Sequence, residues 1–182
     1  IAQKMLHENG IYDVKVVSTR GMLTDHYNPV TKTVNLSEGV YASRSVAAAA
    51  VAAHECGHAI QHARGYSLLK FRNTIVPVVN FASYAGYLAI VIGFMASAMN
   101  LVWIGIIMEC IILLFQVITL PVEFNASHRA LKVLEQDNYL TKKELSGGKK
   151  VLRAAALTYV ASVATTLIEI FRLILLYGRR DD

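Results

Sequence analysis

A run of 50 residues with a single charged side chain sets the strongest limit on how this chain can fold. The run covers residues 73–122, and its one charged residue is Glu109. A helix needs about 20 mostly apolar residues to cross the hydrocarbon core of a bilayer. We therefore predict two membrane helices, over about 75–98 and about 101–120, joined by a tight connection at Met99-Asn100. A buried helical hairpin of a soluble protein is the alternative, and the length of the run argues against it.

The overall composition is also that of a membrane protein. Hydrophobic residues make up 54% of the chain and charged residues only 17%, with a mean hydropathy of +0.41. The net charge is +5, but the basic residues are not interleaved with aromatic ones as in proteins that bind nucleic acids. They flank the apolar runs instead, as is typical of membrane proteins. We therefore expect the lipid bilayer as a partner and no nucleic acid.

A third apolar run, over 157–177, differs from the first two because a polar stripe follows one face of the predicted helix. The stripe consists of Thr158, Ser162, Thr165, Thr166, Glu169 and Arg172. Such a helix either turns its polar face into a membrane bundle or lies in the membrane interface. Glu169 and Arg172 are three residues apart on the helix and can neutralise each other.

The Ala-rich stretch 47–62 contains no proline and predicts one helix that carries a metal-binding motif. His54 and His58 are one helical turn apart, so both imidazoles can reach one cation. Glu55 lies about 100° round the helix, beside that cation. This is the H-E-x-x-H arrangement, in which two neutral histidines hold zinc and a carboxylate takes a proton from a water. Two surface histidines on an ordinary helix are the alternative, which the apolar flanks disfavour.

A catalytic zinc usually has three protein ligands, so the motif needs one more. His62 lies eight residues after His54, about 12 Å along a continuous helix, which is too far to share one ion. The metzincin form of the motif also fails, because Gln61 and Arg64 occupy the positions of its glycine and third histidine. We expect His62 to contact the ligands or the substrate, or to support the fold.

A glutamate from a later helix is the remaining choice for the third ligand. The candidates are Glu109, Glu123, Glu135 and Glu169. Two membrane crossings return the chain to the side of the motif helix at Glu123, so geometry favours that residue. Its alternative role is a charge that stabilises the start of a helix.

We predict an α+β, mainly α fold with a zincin-like helix, a small N-terminal sheet, a membrane helical hairpin and a C-terminal hydrophobic helix. The predicted segments are 1–72 with the motif, 73–122 with the hairpin, 123–155 with the third ligand, and 156–182 with a transmembrane or interfacial helix. The sheet should contain a strand near 14–17 and a hairpin over 23–36. Zincins bind an extended peptide along a sheet edge, so this hairpin is either the substrate-binding edge or only a lid on the motif helix.

Several parts of the chain resemble a known family, and together these parts cover nearly the whole sequence: Leu23-Thr24-Asp25-His26-Tyr27, Asn35-Leu36-Ser37, Arg44-Ser45-Val46-Ala47, His54-Glu55-Cys56-Gly57-His58-Ala59-Ile60-Gln61 and Pro121-Val122-Glu123-Phe124-Asn125-Ala126-Ser127. The family is the YugP-type neutral zinc metallopeptidases of bacterial membranes, which is similar to the HtpX-type membrane gluzincins.

The resemblance implies a zinc cofactor with His54, His58 and Glu123 as ligands and Glu55 as the catalytic base. It also implies a membrane helix ahead of Ile1, which is not a start methionine. The chain departs from these families in two places. Ser127 stands where HtpX-type enzymes have Asp, and Asn125 stands where many YugP-like sequences have Asp, so the residues around the ligands are less well defined than the ligands.

Further residues could support the ligands, bind substrate or stabilise the oxyanion. These candidates are His26, Tyr27, His62, Asn125, Ser127, His128 and Arg129. For the oxyanion, the sequence does not rank Tyr27, His26, His128 and Arg129.

Three classes of function remain open from the sequence. The chain is an integral-membrane zinc metalloendopeptidase for membrane-associated or unfolded proteins, a catalytically silent zinc-binding scaffold in a membrane assembly, or a membrane protein that carries the motif by chance. The carboxylate at Glu55 favours the first, because a scaffold does not need it. Partners would be a peptide or membrane-protein substrate, and further copies of the chain or other proteins of an assembly.

Basic residues on both sides of the hairpin predict the orientation in a bacterial plasma membrane. Lys70 and Arg72 precede the two apolar helices. Arg129 and Lys132 follow them, so the positive-inside rule places the motif on the cytoplasmic side. A third helix that spans fully would place Arg179-Arg180 outside, which conflicts with the rule. Either that helix does not span fully, or the orientation is reversed.

Overall fold

The computed structural model describes residues 1–136 and 139–177, and within them the chain is mainly helical with one small sheet, as predicted. The elements in chain order are α1 (Ala2–Glu8), β1 (Lys15–Thr19), β2 (His26–Asn28), β3 (Thr33–Ser37), α2 (Glu38–Tyr41), α3 (Val46–Ala63), α4 (Ser67–Met95), α5 (Met99–Gln136) and α6 (Lys142–Tyr177).

The chain divides into two compact units. The motif unit contains Ile1–Lys70 and Val122–Leu157, and the apolar unit contains Phe71–Pro121 and the chain from Thr158 onward. The motif unit therefore joins the beginning of the chain to a segment that follows the two predicted membrane helices. The division of the sequence into four functional segments stays a prediction.

The sheet of the motif unit has the strand order β1-β3-β2. Strand β3 is central: it pairs in parallel with β1, from Lys15↔Thr33 onward, and antiparallel with β2, where Tyr27 faces Val34. The predicted hairpin is thus present, but only its first strand lies at an edge. Strand β1 covers the other side of β3, so β2 is the edge that the hairpin offers; whether this edge binds substrate or the hairpin is only a lid stays a prediction.

Small side chains on α3 allow the sheet, α1 and later helices to pack closely around it. The buried core of the motif unit includes Met5, Leu6, Val34, Ala53, Cys56, Ile60, Ala130, Leu134 and Leu152. Cys56 is fully buried there, and burial raises the pKa of its thiol to about 12. A thiol in this state is protonated and packs as a small apolar group.

Both ends of α3 carry the capping interactions that the physics of helix ends requires. The hydroxyl of Ser45 accepts a hydrogen bond from the backbone N–H of Ala48 at 3.1 Å, which caps the first turn. At the other end Gly65 has φ +65, and the N–H of Tyr66 donates to Gln61 O at 2.9 Å. This is the pattern of a Schellman motif, in which a glycine takes the left-handed conformation that other residues avoid.

Helix α5 continues without a break past the end of its apolar run. Its apolar residues extend to about 120, and the same helix then carries Glu123 and runs on to Gln136. Pro121 removes one backbone hydrogen bond but does not end the helix. Glu123 is therefore an interior residue of a long helix, and the alternative in which it stabilises a helix N-terminus is wrong.

The apolar unit contains helices of the length and polarity that cross membranes. Three helices of the described residues are long and apolar enough: α4, α5 and α6. Gly105 of α5 lies against Ile90 and the backbone of Gly86 on α4, so small residues bring these two helices together. Large apolar side chains such as Phe171 and Ile107 are exposed, and such a surface is stable in contact with lipid. The chain is a membrane protein.

The polar stripe on α6 satisfies much of its polarity within the helix. The hydroxyl of Ser162 donates to Thr158 O at 3.0 Å, and that of Thr165 donates to Ala161 O at 2.9 Å. Glu169 and Arg172 form an ion pair of 3.2 Å, as predicted from their spacing.

We predict that Gly57→Ala destabilises the motif unit. A Cβ at Gly57 would lie 2.5 Å from the backbone oxygen of Ala126, so α3 and α5 would have to move apart. Overpacking of this kind costs about 1–3 kcal/mol, and we expect the apparent Tm of the purified protein in detergent to fall by several degrees. Gly39→Ala is the matched control, because a Cβ there meets nothing within 4 Å. An unchanged Tm for Gly57→Ala would contradict the close contact.

Candidate metal centre

Two ring nitrogens of α3 face one carboxylate oxygen of α5. The Nε2 atoms of His54 and His58 lie 3.2 and 3.4 Å from Oε2 of Glu123. One candidate ligand atom from each residue lies within 4.8 Å of the others. The structure thus brings together the two histidines of the motif and the glutamate that the sequence favoured as their third partner.

The Glu123 carboxylate is 3% exposed, and a buried charge needs partners. Burial alone would raise the pKa of Glu123, but the hydrogen bonds of His54 and His58 outweigh it and hold this pKa well below its usual range. Burial lowers the pKa of His58, and the bond to Glu123 more than reverses that effect. An ionised carboxylate facing two imidazoles is an environment that favours a positive charge between them.

These residues fit a zinc ion by the chemistry of their donors. Two imidazole nitrogens and one carboxylate oxygen form a three-residue set of the type that holds catalytic zinc. Among the described residues, His54, His58 and Glu123 form the one group of histidine, cysteine or acidic side chains with this closeness. The nearby Cys56 is turned away from it and donates to the backbone oxygen of Ala2 at 3.6 Å.

Glu55 lies beside this group and is not part of it. It follows His54 on α3 and is 8% exposed. Burial raises the pKa of Glu55, and the electrostatic effect of the nearby His58 and His54 side chains opposes this shift only in part. A carboxylate with a raised pKa is suited to accept a proton and release it again.

The other nitrogen of each histidine ring also has a partner. Nδ1 of His54 lies 3.1 Å from the hydroxyl of Ser127, and Nδ1 of His58 lies 3.0 Å from Oε1 of Gln61. Ser127 follows Glu123 by one turn of α5, so the same face of that helix supplies both contacts to His54. Partners of this kind orient a ligating histidine.

Gln61 was not among the functional residues predicted from the sequence. Its side chain is fully buried, and its amide nitrogen donates to Val122 O at 2.8 Å and to Asn125 Oδ1 at 3.0 Å. A signal was present, because a polar side chain in an Ala-rich buried helix, three residues after His58, must find a partner. Asn125, one of the predicted supporting residues, is thereby connected to the site.

The remaining predicted residues lie at different distances from this chemistry. The Tyr27 hydroxyl is 2.8 Å from Nδ1 of His62, which joins the edge strand β2 to the motif helix. Nδ1 of His26 lies 2.7 Å from Thr24 O at an exposed position. Arg129 donates through Nε to Asn125 Oδ1 at 2.7 Å, and His128 is exposed beside it.

We expect Glu123→Gln to lose most of its affinity for zinc, because an uncharged amide replaces the one anionic ligand. The affinity should fall by more than about 100-fold, since even residues that only orient ligands change it about 10- to 100-fold. Metal analysis after equilibration at a fixed free zinc concentration measures this. Glu135→Gln, on an exposed turn of the same helix, is the control that should keep its zinc. Full zinc occupancy in both variants would exclude Glu123 as a ligand.

Comparison with known proteins agrees with this centre. A protein-family model described as "Putative neutral zinc metallopeptidase" matches residues 1–178. The chain is 47% identical over 182 residues to the Bacillus subtilis (strain 168) protein named "Putative membrane protease YugP", covering all of this chain and 81% of that protein. No solved structure matches the chain. Since the family model spans nearly the whole sequence, the chain belongs to this neutral zinc metallopeptidase family.

Proposed function

We propose that this chain is an integral-membrane zinc metalloendopeptidase of the gluzincin type that cleaves membrane-associated or unfolded proteins. The observation that carries the proposal is the convergence of the two Nε2 atoms of His54 and His58 on Glu123 Oε2, with Glu55 adjacent. His54, His58 and Glu123 would hold the zinc. When bound, the ion polarises a peptide carbonyl and lowers the pKa of a water molecule.

Glu55 supplies the proton transfers of the reaction. Its carboxylate accepts a proton from the water whose oxygen forms a bond with the peptide carbon. As the C–N bond breaks, Glu55 gives that proton to the leaving amine nitrogen. Its burial supports this role, because burial raises the pKa of Glu55 and so makes its carboxylate a better proton acceptor.

The edge strand β2 is the proposed place for an extended substrate. Within the described residues it pairs with β3 alone, so its other edge is available for strand addition. The bond between Tyr27 and His62 holds this strand against α3, the helix that carries the motif. Among the candidates for stabilising the oxyanion we therefore favour Tyr27, because its side chain bonds to His62 of the motif helix.

A catalytically silent zinc-binding scaffold remains the second candidate function. It would need the three ligands but not Glu55, which the chain retains in a buried position beside them. Cleavage assays separate the two, because only a peptidase hydrolyses casein or a model membrane substrate in a chelator-sensitive manner.

We expect Glu55→Gln to bind zinc as the wild type does and to lose proteolysis by about 100- to 10,000-fold, the usual contribution of a general acid–base group. The assay is casein cleavage with and without chelator, together with zinc analysis of the same samples. Glu38→Gln replaces an exposed carboxylate and should retain full activity. Undiminished cleavage by Glu55→Gln would remove the proposed base.

We propose that the motif unit faces the cytoplasm of a bacterial cell. Lys70 precedes the first apolar segment and Lys132 follows the second, both at exposed positions. The pair Arg179-Arg180, which pointed the other way in the sequence, lies outside the described residues.

A protease recognition site inserted beside the exposed Lys142 tests this orientation. We expect cutting by a cognate protease expressed in the cytoplasm and none by the same protease added to intact cells. The reverse pattern would mean that the motif unit faces outward.

A further inference from the structure

Three hydrogen bonds connect the His58 ring to an arginine on the neighbouring helix. Nδ1 of His58 lies 3.0 Å from Gln61 Oε1, and the amide nitrogen of Gln61 donates to Asn125 Oδ1 at 3.0 Å. Nε of Arg129 donates to that same Asn125 oxygen at 2.7 Å. All four residues belong to the motif unit.

Arg129 and the backbone oxygen of Val122 together determine the direction of these bonds. A guanidinium group has only N–H donors and stays protonated, so the Asn125 atom facing Arg129 must be the oxygen. That oxygen accepts the second bond from the amide nitrogen of Gln61, whose other N–H donates to Val122 O at 2.8 Å. Reversing the Gln61 amide would place its oxygen against two other oxygens, and Gln61 is fully buried, so the reversed form is costly.

The orientation of the Gln61 amide determines which nitrogen of the His58 ring carries the proton. An amide oxygen can only accept, so Nδ1 of His58 carries the proton that points at Gln61. A histidine that ligates a metal is neutral, so in that form Nε2 would have the lone pair; this is the atom that lies 3.4 Å from Glu123 Oε2. We propose that Arg129, acting through Asn125 and Gln61 and alongside the backbone oxygen of Val122, is a positioning residue that holds His58 in the tautomer required for metal ligation.

His54 is supported in a different way, which makes the two histidines a natural comparison. The Ser127 hydroxyl beside its Nδ1, at 3.1 Å, can either donate or accept. That contact orients the ring without selecting a tautomer. The proposed role of Arg129 therefore applies to His58, and it rests on the proposed zinc site.

If Arg129 acted on zinc binding through its charge alone, its removal would change the zinc affinity in the opposite direction. A positive side chain near a dication opposes its binding, so removal of the charge should strengthen zinc binding. Loss of the tautomer control should weaken it. The sign of the change in affinity therefore separates the two effects.

The test measures zinc affinity by competition with a chromophoric chelator, using the purified full chain in detergent. Asn125→Leu removes the oxygen that receives both bonds and should weaken zinc binding by about 10- to 100-fold. Arg129→Met should weaken it by about tenfold, the lower end of that range. Asn125→Asp keeps an oxygen that accepts both bonds and adds a negative charge that favours a dication, so it should bind zinc at least as tightly as the wild type.

The double variant Asn125→Asp/Arg129→Met is the decisive member of the set. A carboxylate needs no arginine to orient its oxygen toward Gln61, so Arg129→Met should cost little affinity in this background. Equal weakening in both backgrounds would show that Arg129 only supports the fold, and stronger binding by Arg129→Met would show that its charge dominates. Either result overturns the proposal. This comparison does not use Asn125→Leu, so it holds even if that variant fails to fold.

The zinc site itself is checked in the same experiment. A wild-type protein that binds no zinc, or zinc binding that survives His58→Ala, would refute the proposed function. A wild-type site that depends on His58 but is insensitive to Arg129→Met and Asn125→Leu would refute only the role of Arg129.

Discussion

The burial of the Glu123 carboxylate between two imidazoles is the interaction on which the motif unit depends. A carboxylate that is 3% exposed needs compensating partners, and the Nε2 atoms of His54 and His58 provide them. This arrangement requires α3 and α5 to approach closely at that level. Gly57 makes the approach possible, because its missing side chain leaves room for the backbone of Ala126.

The interaction also requires that Glu123 has a fixed position, which the continuity of α5 provides. Glu123 is three residues beyond the end of the apolar segment, and the helix passes through Pro121 without ending. A carboxylate on an interior turn has a defined direction, whereas one at a fraying terminus does not. Ser127, one turn further along α5, contacts His54 directly, and Asn125 accepts a hydrogen bond from Gln61, the partner of His58.

The hydrogen bonds around the two histidines involve residues outside the candidate metal-binding group. The amide nitrogen of Gln61 donates to two oxygens of α5, and its amide oxygen contacts Nδ1 of His58. One buried side chain therefore joins the two helices and contacts a histidine of the motif. Membership in a zinc metallopeptidase family agrees with such a site. In the proposed zinc site, the candidate ligands, their orientation and the contact between α3 and α5 are therefore coupled.

Much of this architecture follows from local properties of the sequence. The apolar runs predicted membrane helices because length and polarity alone decide whether a helix can span a bilayer. The spacing of His54 and His58 placed both rings on one helix face because helical geometry is local. The end of α3 near Gly65 was also predictable, since a left-handed residue at a helix terminus favours glycine.

What only the tertiary structure decided are the contacts between residues distant in the chain. The sequence offered four glutamates as candidates for the third partner of the histidines. The packing of α5 on α3 brings Glu123 to them. The central position of β3, the contacts of Gln61 and the bond from Arg129 to Asn125 were equally out of reach. Periodicity and spacing describe which face of an element a residue occupies, but the partner of that face is set by the packing of the whole chain.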